Sequence, residues 1–193
     1  MVLDTNVLVP IAAANLLLRL AEREFYRPLW SARIMDEVSR TIKKIHVEFT
    51  DAQIRDRLVA MNEAFEDALV VGWEQIEPAL NLPDVDDRHV LARAIVGGAD
   101  AIVTNNIDDF PVPVLASFGL EVIGLDEFLL DLIDHDSIQV ENVIQEMARD
   151  TKKPAITARE VLDAVARAGA PQAANALSPL LRTLSEPSER ALR

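Results

Sequence analysis

Val2-Leu3-Asp4-Thr5-Asn6-Val7-Leu8 is the stretch whose reading decides the fold. Two apolar residues read as a short strand, an aspartate stands at its end, and a threonine and an asparagine lead into a new apolar run. In an open parallel sheet, ligands bind just beyond the carboxyl ends of the strands, so an acid in this place faces the crevice where such folds keep their chemistry. Asp4-Thr5-Asn6 is equally good turn and helix-cap chemistry. The other acids that could meet Asp4 decide between the two readings.

Beyond this stretch, helices and strands alternate. A helix is expected from Val7 to about Arg23, and a turn with a short second strand over Phe25–Trp30. Ser31 caps a helix whose buried stripe is Ile34, Val38, Ile42 and Ile45, and Thr50 or Asp51 caps another with Ile54, Leu58, Met61 and Phe65. Ala68–Val71 reads as a strand closed by Gly72. A helix begins near Asp84-Val85-Asp86-Asp87, turns Val90, Leu91, Ala94 and Ile95 inward, and ends at Gly97-Gly98. Ala101–Val103 is the clearest strand, Glu121–Ile123 the last, and Leu125–Asp134 the helix after it. This alternation predicts an α/β fold with a mostly parallel sheet. After His135 the pattern is helical only, with helices expected at about 137–149, Thr157–Ala168 and Pro171–Thr183, and a polar tail after Ser185 that should fray. Two parts follow from this: residues 1–134 and a helical extension, 135–193.

The 193 residues carry no cysteine, which removes disulfides, thiolate ligands and thiol nucleophiles and fits a cytoplasmic protein. No run is long and apolar enough to span a bilayer, and no leader with a cleavage site is visible. The net charge of −13 is unevenly placed. Residues 135–193 hold 8 acidic and 8 basic side chains, residues 19–57 hold 7 and 9, and residues 58–134 hold 16 and 2. A strongly basic polyanion binder is excluded. A nucleic acid would have to approach along 19–57, where Arg40, Lys43 and Lys44 are candidate phosphate contacts and equally good surface pairs.

Asn106 and Asp109 lie just past the carboxyl end of Ala101–Val103, so a parallel sheet brings them to the rim that carries Asp4. Asp86 and Asp87 enter the same rim at a helix start, where the helix dipole also favours acids. Glu37 flanks the buried stripe of its helix, whereas Asp36 points to solvent and can pair with Arg40. Two carboxylates about 4 Å apart repel by roughly 4 kcal/mol at an effective dielectric of about 20, so such a cluster needs a cation or shared protons. Hard oxygen donors select Mg²⁺ or Mn²⁺ over zinc, and carboxylate-held divalent ions suit phosphodiester hydrolysis. His89 reads as a partly exposed helix residue. No Ser-His-Asp spacing, glycine-rich phosphate loop or HExxH helix is present.

Four motifs in this order resemble the PIN domains, in particular the VapC-type toxin ribonucleases: Asp4-Thr5-Asn6-Val7-Leu8, Glu37, Asp84 to Ala92, and Val103-Thr104-Asn105-Asn106-Ile107-Asp108-Asp109-Phe110. The resemblance covers roughly residues 1–130. It implies a PIN-like three-layer α/β/α sandwich and a Mg²⁺- or Mn²⁺-dependent endoribonuclease, a homodimer held inactive by a cognate antitoxin. Asp4, Glu37 and Asp87 would be the acidic core, Asp109 a fourth acid, and Thr104 would orient a water or a carboxylate. Asn106 stands where many members carry an acid. Two rivals stay open: another metal-dependent phosphoesterase, and a degenerate PIN fold that only binds a partner.

Overall fold

Three parallel strands, β1 (Val2–Leu3), β2 (Ala101–Val103) and β3 (Glu121–Ile123), lie side by side in that order in the computed structural model, which describes residues 1–152 and 154–185. Val2 is in register with Ile102, and Val103 lies between Leu3 and Ile123. Every residue of β1 and β2 is apolar and buried, as expected of strands covered on both faces. Because all three run the same way, the carboxyl ends of β1 and β2 deliver Asp4 and Thr104 to one rim. Asp4 N–H donates to Val103 O at 3.1 Å, which fixes the two ends together.

The strands expected at Phe25–Trp30 and Ala68–Val71 shrink to single parallel bridges, Val2 with Leu29 and Trp30 with Leu69. They extend the sheet beyond β1. Pro28, which has no N–H to donate, stands where the first of them would begin.

The helix expected from Val7 is two helices, α1 (Thr5–Leu8) and α2 (Ile11–Glu22). Pro10 separates them with an extended ψ of 117°. Ser31 and Thr50 cap α3 (Ala32–Ile45) and α4 (Asp51–Ala64), the second through a capping box with Gln53. α5 (Arg88–Val96) packs on β1 and β2. It ends at Gly97, where a Cβ would lie 2.9 Å from Val70 Cγ2 and 3.1 Å from Leu29 Cδ1, so the glycine lets helix and sheet close up. α6 (Val112–Ala116) is a short turn before β3. Helices and sheet together form the expected three-layer α/β/α arrangement with further helices at the C-terminus.

The two helices expected on either side of His135 are one element, α7 (Leu125–Asp150), broken only at Asp136 with φ −156° and ψ 86°. Asp136 Oδ1 accepts Gln139 N–H at 3.0 Å, so the helix restarts with its own cap. α8 (Ala158–Arg167) begins at the expected Thr157–Glu160 capping box, and α9 (Pro171–Ser185) follows. α7, α8 and α9 pack on one another, and α7 and α8 return to α2. The tail expected to fray after Ser185 lies outside the described residues. Among those described, no helix is long and apolar enough to cross a membrane.

Asp126, in the first turn of α7, accepts Gln172 N–H at 3.1 Å and Ala173 N–H at 2.8 Å. It therefore caps α9 from a neighbouring helix. Asp126→Ala should lower stability by about 1 kcal/mol, read as a shifted urea midpoint with an unchanged slope.

Candidate active site

Asp4 is the best-held acid of the rim, with 6 % of its surface exposed. Its Oδ1 accepts Thr5 N–H at 2.6 Å, and its Oδ2 accepts Asn6 Nδ2 and Thr104 Oγ1, each at 2.7 Å. The cap expected of Asp4-Thr5-Asn6 is present on one oxygen of Asp4, and the other oxygen joins the end of β2. Burial pushes the Asp4 carboxyl up, against the bonds from Thr104 and Thr5. Thr104 is itself buried and also accepts Asn6 Nδ2 at 2.8 Å and Asn106 N–H at 3.0 Å.

Asp87 stands at the start of α5, half-buried, and makes no capping bond to its own helix. Burial raises its carboxyl to about 7, and the charges of Asp4, Asp109, Asp84 and Glu37 add to the rise. The rim therefore gathers acids from four separate parts of the chain. Asp109 is half-buried in a single helical turn, Ile107–Asp109, whose last N–H returns to Asn106 O at 3.2 Å. Asn106 is exposed, and its N–H donates to Thr104 Oγ1 at 3.0 Å. Asp86 is exposed and turns its N–H to Asp84 Oδ1 at 2.8 Å. Of the adjacent pair, Asp87 is the half-buried one.

Glu37 reaches the rim but is engaged on both oxygens. Oε2 accepts Thr5 Oγ1 at 3.0 Å, while Oε1 lies 3.2 Å from His89 Nε2 and 3.3 Å from Arg33 Nε. Burial would raise its carboxyl, but the bonds from His89, Thr5 and Arg33 outweigh it and hold the group at about 2. His89 is not the partly exposed residue that the sequence pattern indicates. Only 2 % of it is exposed, because Trp73 folds over this side of α5 with its ring centroid 5.9 Å away. Arg93, one turn along and fully buried, places Nη2 3.2 Å from His89 Nδ1 and its guanidinium carbon 5.4 Å from the Trp73 ring centre. A guanidinium only donates, so Nδ1 accepts and Nε2 carries the hydrogen given to Glu37. Burial lowers the Arg93 pKa to about 10.

Arg33, Trp73, Glu77 and Arg93 went unseen in the sequence. Arg33 pairs with Glu77 at 2.9 Å, besides Glu37, and reaches Asp86 O at 3.4 Å. The signal for two of these contacts is the i,i+4 spacing of Arg33 with Glu37 and of His89 with Arg93. Arg40, Lys43 and Lys44 lie further along α3 than Glu37. Arg40 donates to Asp36 O at 3.3 Å and Lys43 pairs with Asp51 at 2.7 Å, which is surface pairing rather than a lining of the rim.

Among the described residues, no three acids or histidines stand close enough to close on one ion as they are. The donor set nevertheless suits a hard divalent cation. Asp4, Asp87 and Asp109 offer only oxygen, and Asp87 has its affinity for a proton raised by its acidic neighbours.

A family model described as PIN domain matches residues 1–108, and one described as VapC50 C-terminal domain matches residues 125–179. The chain is 34% identical over 98 residues to a protein of Mycobacterium tuberculosis named "Putative ribonuclease VapC50". That alignment covers 51% of this chain and 57% of the relative, so the chain spans little more than half of the curated protein it matches. No solved structure matches the chain.

Proposed function

Because the chain belongs to the PIN-domain family, we propose that it is an endoribonuclease of the VapC toxin type. It would use Mg²⁺ or Mn²⁺, act as a homodimer in the cytoplasm, and be restrained by a cognate antitoxin protein. Residues 1–134 would carry the chemistry and 135–193 would form the extension.

One observation supports this above the others: Asp87, half-buried and uncapped, has its carboxyl raised to about 7 by burial and then by the acids around it. Such a group is held in place by the fold at a cost in stability, and a cation is what relieves it. Asp4, Asp87 and Asp109 would hold the ion. When bound, a divalent ion there lowers the pKa of a water and stabilises the leaving oxygen of a phosphodiester. Thr104 and Asn6 aim the Asp4 carboxylate by donating to Oδ2. Glu37, at about 2, is too weak a base to take a proton near neutrality, so its work is to orient a water by charge and hydrogen bonding. His89 and Arg33 fix its carboxylate for that purpose. Asn106 lines the same rim from β2's end. The acidic surroundings repel an RNA backbone until cations neutralise them, and splayed single strands and loops are the RNA forms that would offer the rim an accessible phosphodiester.

The test is cleavage of total RNA with Mg²⁺ or Mn²⁺ beside hydrolysis of a chromogenic phosphate monoester. RNA should be cut at internal positions and the monoester left intact. Hydrolysis of the monoester with intact RNA would make the protein a phosphoesterase of another kind, and metal binding with no cleavage at all would leave a binding module.

A further inference from the structure

Among the described residues, the loop between α8 and α9 reaches the rim of the acid site. Ala168 O accepts Asn105 Nδ2 at 3.2 Å. The next residue, Gly169, has φ +112°, and a Cβ there would lie 2.9 Å from Asn105 Nδ2 and 3.0 Å from its Oδ1. The Asn105 amide therefore lies flat against the glycine's backbone, in a space that only glycine leaves open.

From Asn105 the contacts continue inward. Its backbone N–H donates to Asn6 Oδ1 at 2.9 Å, and Asn6 Nδ2 donates to Asp4 Oδ2 at 2.7 Å and to Thr104 Oγ1 at 2.8 Å. The order matters chemically. A backbone N–H can only donate, so it selects the oxygen of the Asn6 amide and turns the amide nitrogen towards Asp4. With that N–H out of place, Asn6 is free to rotate and set its oxygen against the Asp4 carboxylate, exchanging an attraction for a repulsion.

The loop is anchored at both ends. Ala168 and Ala170 close the end of α8 through N–H bonds to Val165 O at 3.1 and 3.3 Å, and Asp126 caps the start of α9.

We propose that the α8–α9 loop positions the acid site, acting through Asn105 and Asn6 on the Asp4 carboxylate. This rests on the reading that Asp4 helps to hold a cation. Asn105 and Gly169 are positioning residues, and the helical extension is then part of the site rather than an addition to it.

The test uses the full chain with Asn105→Ala and, separately, Gly169→Ala, which pushes a methyl into the Asn105 amide. Three quantities are read: hydrogen exchange of the Asn105 and Asn106 amides without metal, Mn²⁺ affinity by calorimetry, and kcat and KM on RNA. Asn105 is exposed, so Asn105→Ala should fold and melt close to wild type. Exchange at Asn105 should accelerate, Mn²⁺ affinity should fall about tenfold, and kcat should fall by a similar factor with KM unchanged. Gly169→Ala should reproduce these changes. Unaltered exchange overturns the proposal. Faster exchange with Mn²⁺ affinity and kcat intact also overturns it, because the tie is then structural only. If the wild-type chain binds Mn²⁺ but cuts no RNA, the nuclease reading falls while the Mn²⁺ affinities still judge the loop. If it does neither, the metal-site reading falls, and this proposal falls with it.

Discussion

Asp87→Asn is expected to reduce RNA cleavage about 10³-fold and, at the same time, to make the metal-free protein more stable at neutral pH. The two effects have one cause. The Asp87 carboxyl sits at about 7 against an ordinary 3.8, first because it is half-buried and then because Asp4, Asp109, Asp84 and Glu37 crowd it. Its folded value lies above its unfolded one, so the native state holds a proton that the unfolded chain releases. Stability therefore falls as pH rises from about 4 through about 7 and levels off above that. Because the group is only half-buried, solvent screening reduces the penalty to about 1–2 kcal/mol. Asparagine does not titrate, so the variant should gain that amount at pH 8 and flatten the window. Mn²⁺ should reverse the order by stabilising wild type more than the variant. Asp4→Asn makes the useful contrast. It should lose cleavage as fully but lose stability as well, because Asp4 accepts bonds from Thr5, Asn6 and Thr104 that an amide's one oxygen cannot all take. Urea unfolding across pH 4 to 9, with and without Mn²⁺, measures all of this. Undiminished cleavage by Asp87→Asn would remove the acid cluster from the chemistry.

His89→Ala should destabilise the protein by about 3 kcal/mol, more than an exposed helix histidine could. His89 is packed against Trp73 and sits between Glu37 on one ring nitrogen and Arg93 on the other. Arg93 is buried, and its Nε and Nη1 already lack partners among the described residues. Without His89 the guanidinium loses its hydrogen bond to the imidazole, and Glu37 loses the first of the bonds that hold it at about 2. A depressed acid stabilises the fold above its unfolded value and loses that contribution as pH falls through its folded value. The variant's acid unfolding should therefore begin at higher pH than that of wild type. Adding Arg93→Met removes the stranded cation and should recover part of the loss. A His89→Ala variant within about 0.5 kcal/mol of wild type, the range of a surface change, would show that these contacts carry no weight.

Much of the fold can be read from local pattern alone. Ser31, Thr50 and Thr157 mark helix starts because each hydroxyl satisfies an N–H within its own first turn. Ala101–Val103 stands out because a strand covered on both faces is apolar at every position. The strands at Phe25–Trp30 and Ala68–Val71 were harder: whether an extended apolar run gains a full ladder depends on its neighbours, and here each gains one bridge. The helix expected from Val7 splits because Pro10 breaks it, a local effect whose outcome was a matter of where the chain had to turn.

The candidate acids were visible for the same local reason, since Asp4, Asp87 and Asp109 each follow a strand or open a helix at the rim. Their partners were not. Sequence places Glu37 on the flank of a helix, but Trp73 and Arg93 decide that His89 is buried and that Glu37 is engaged on both oxygens. Sequence likewise separates residues 1–134 from the helices after them, whereas the contact of Asn105 with Ala168 joins the two at the site. Caps, periods and strand ends are settled by bonds within a few residues, so the chain determines them by itself. Burial, ionisation and the aim of a carboxylate depend on groups brought together from distant positions, and only the tertiary structure decides those.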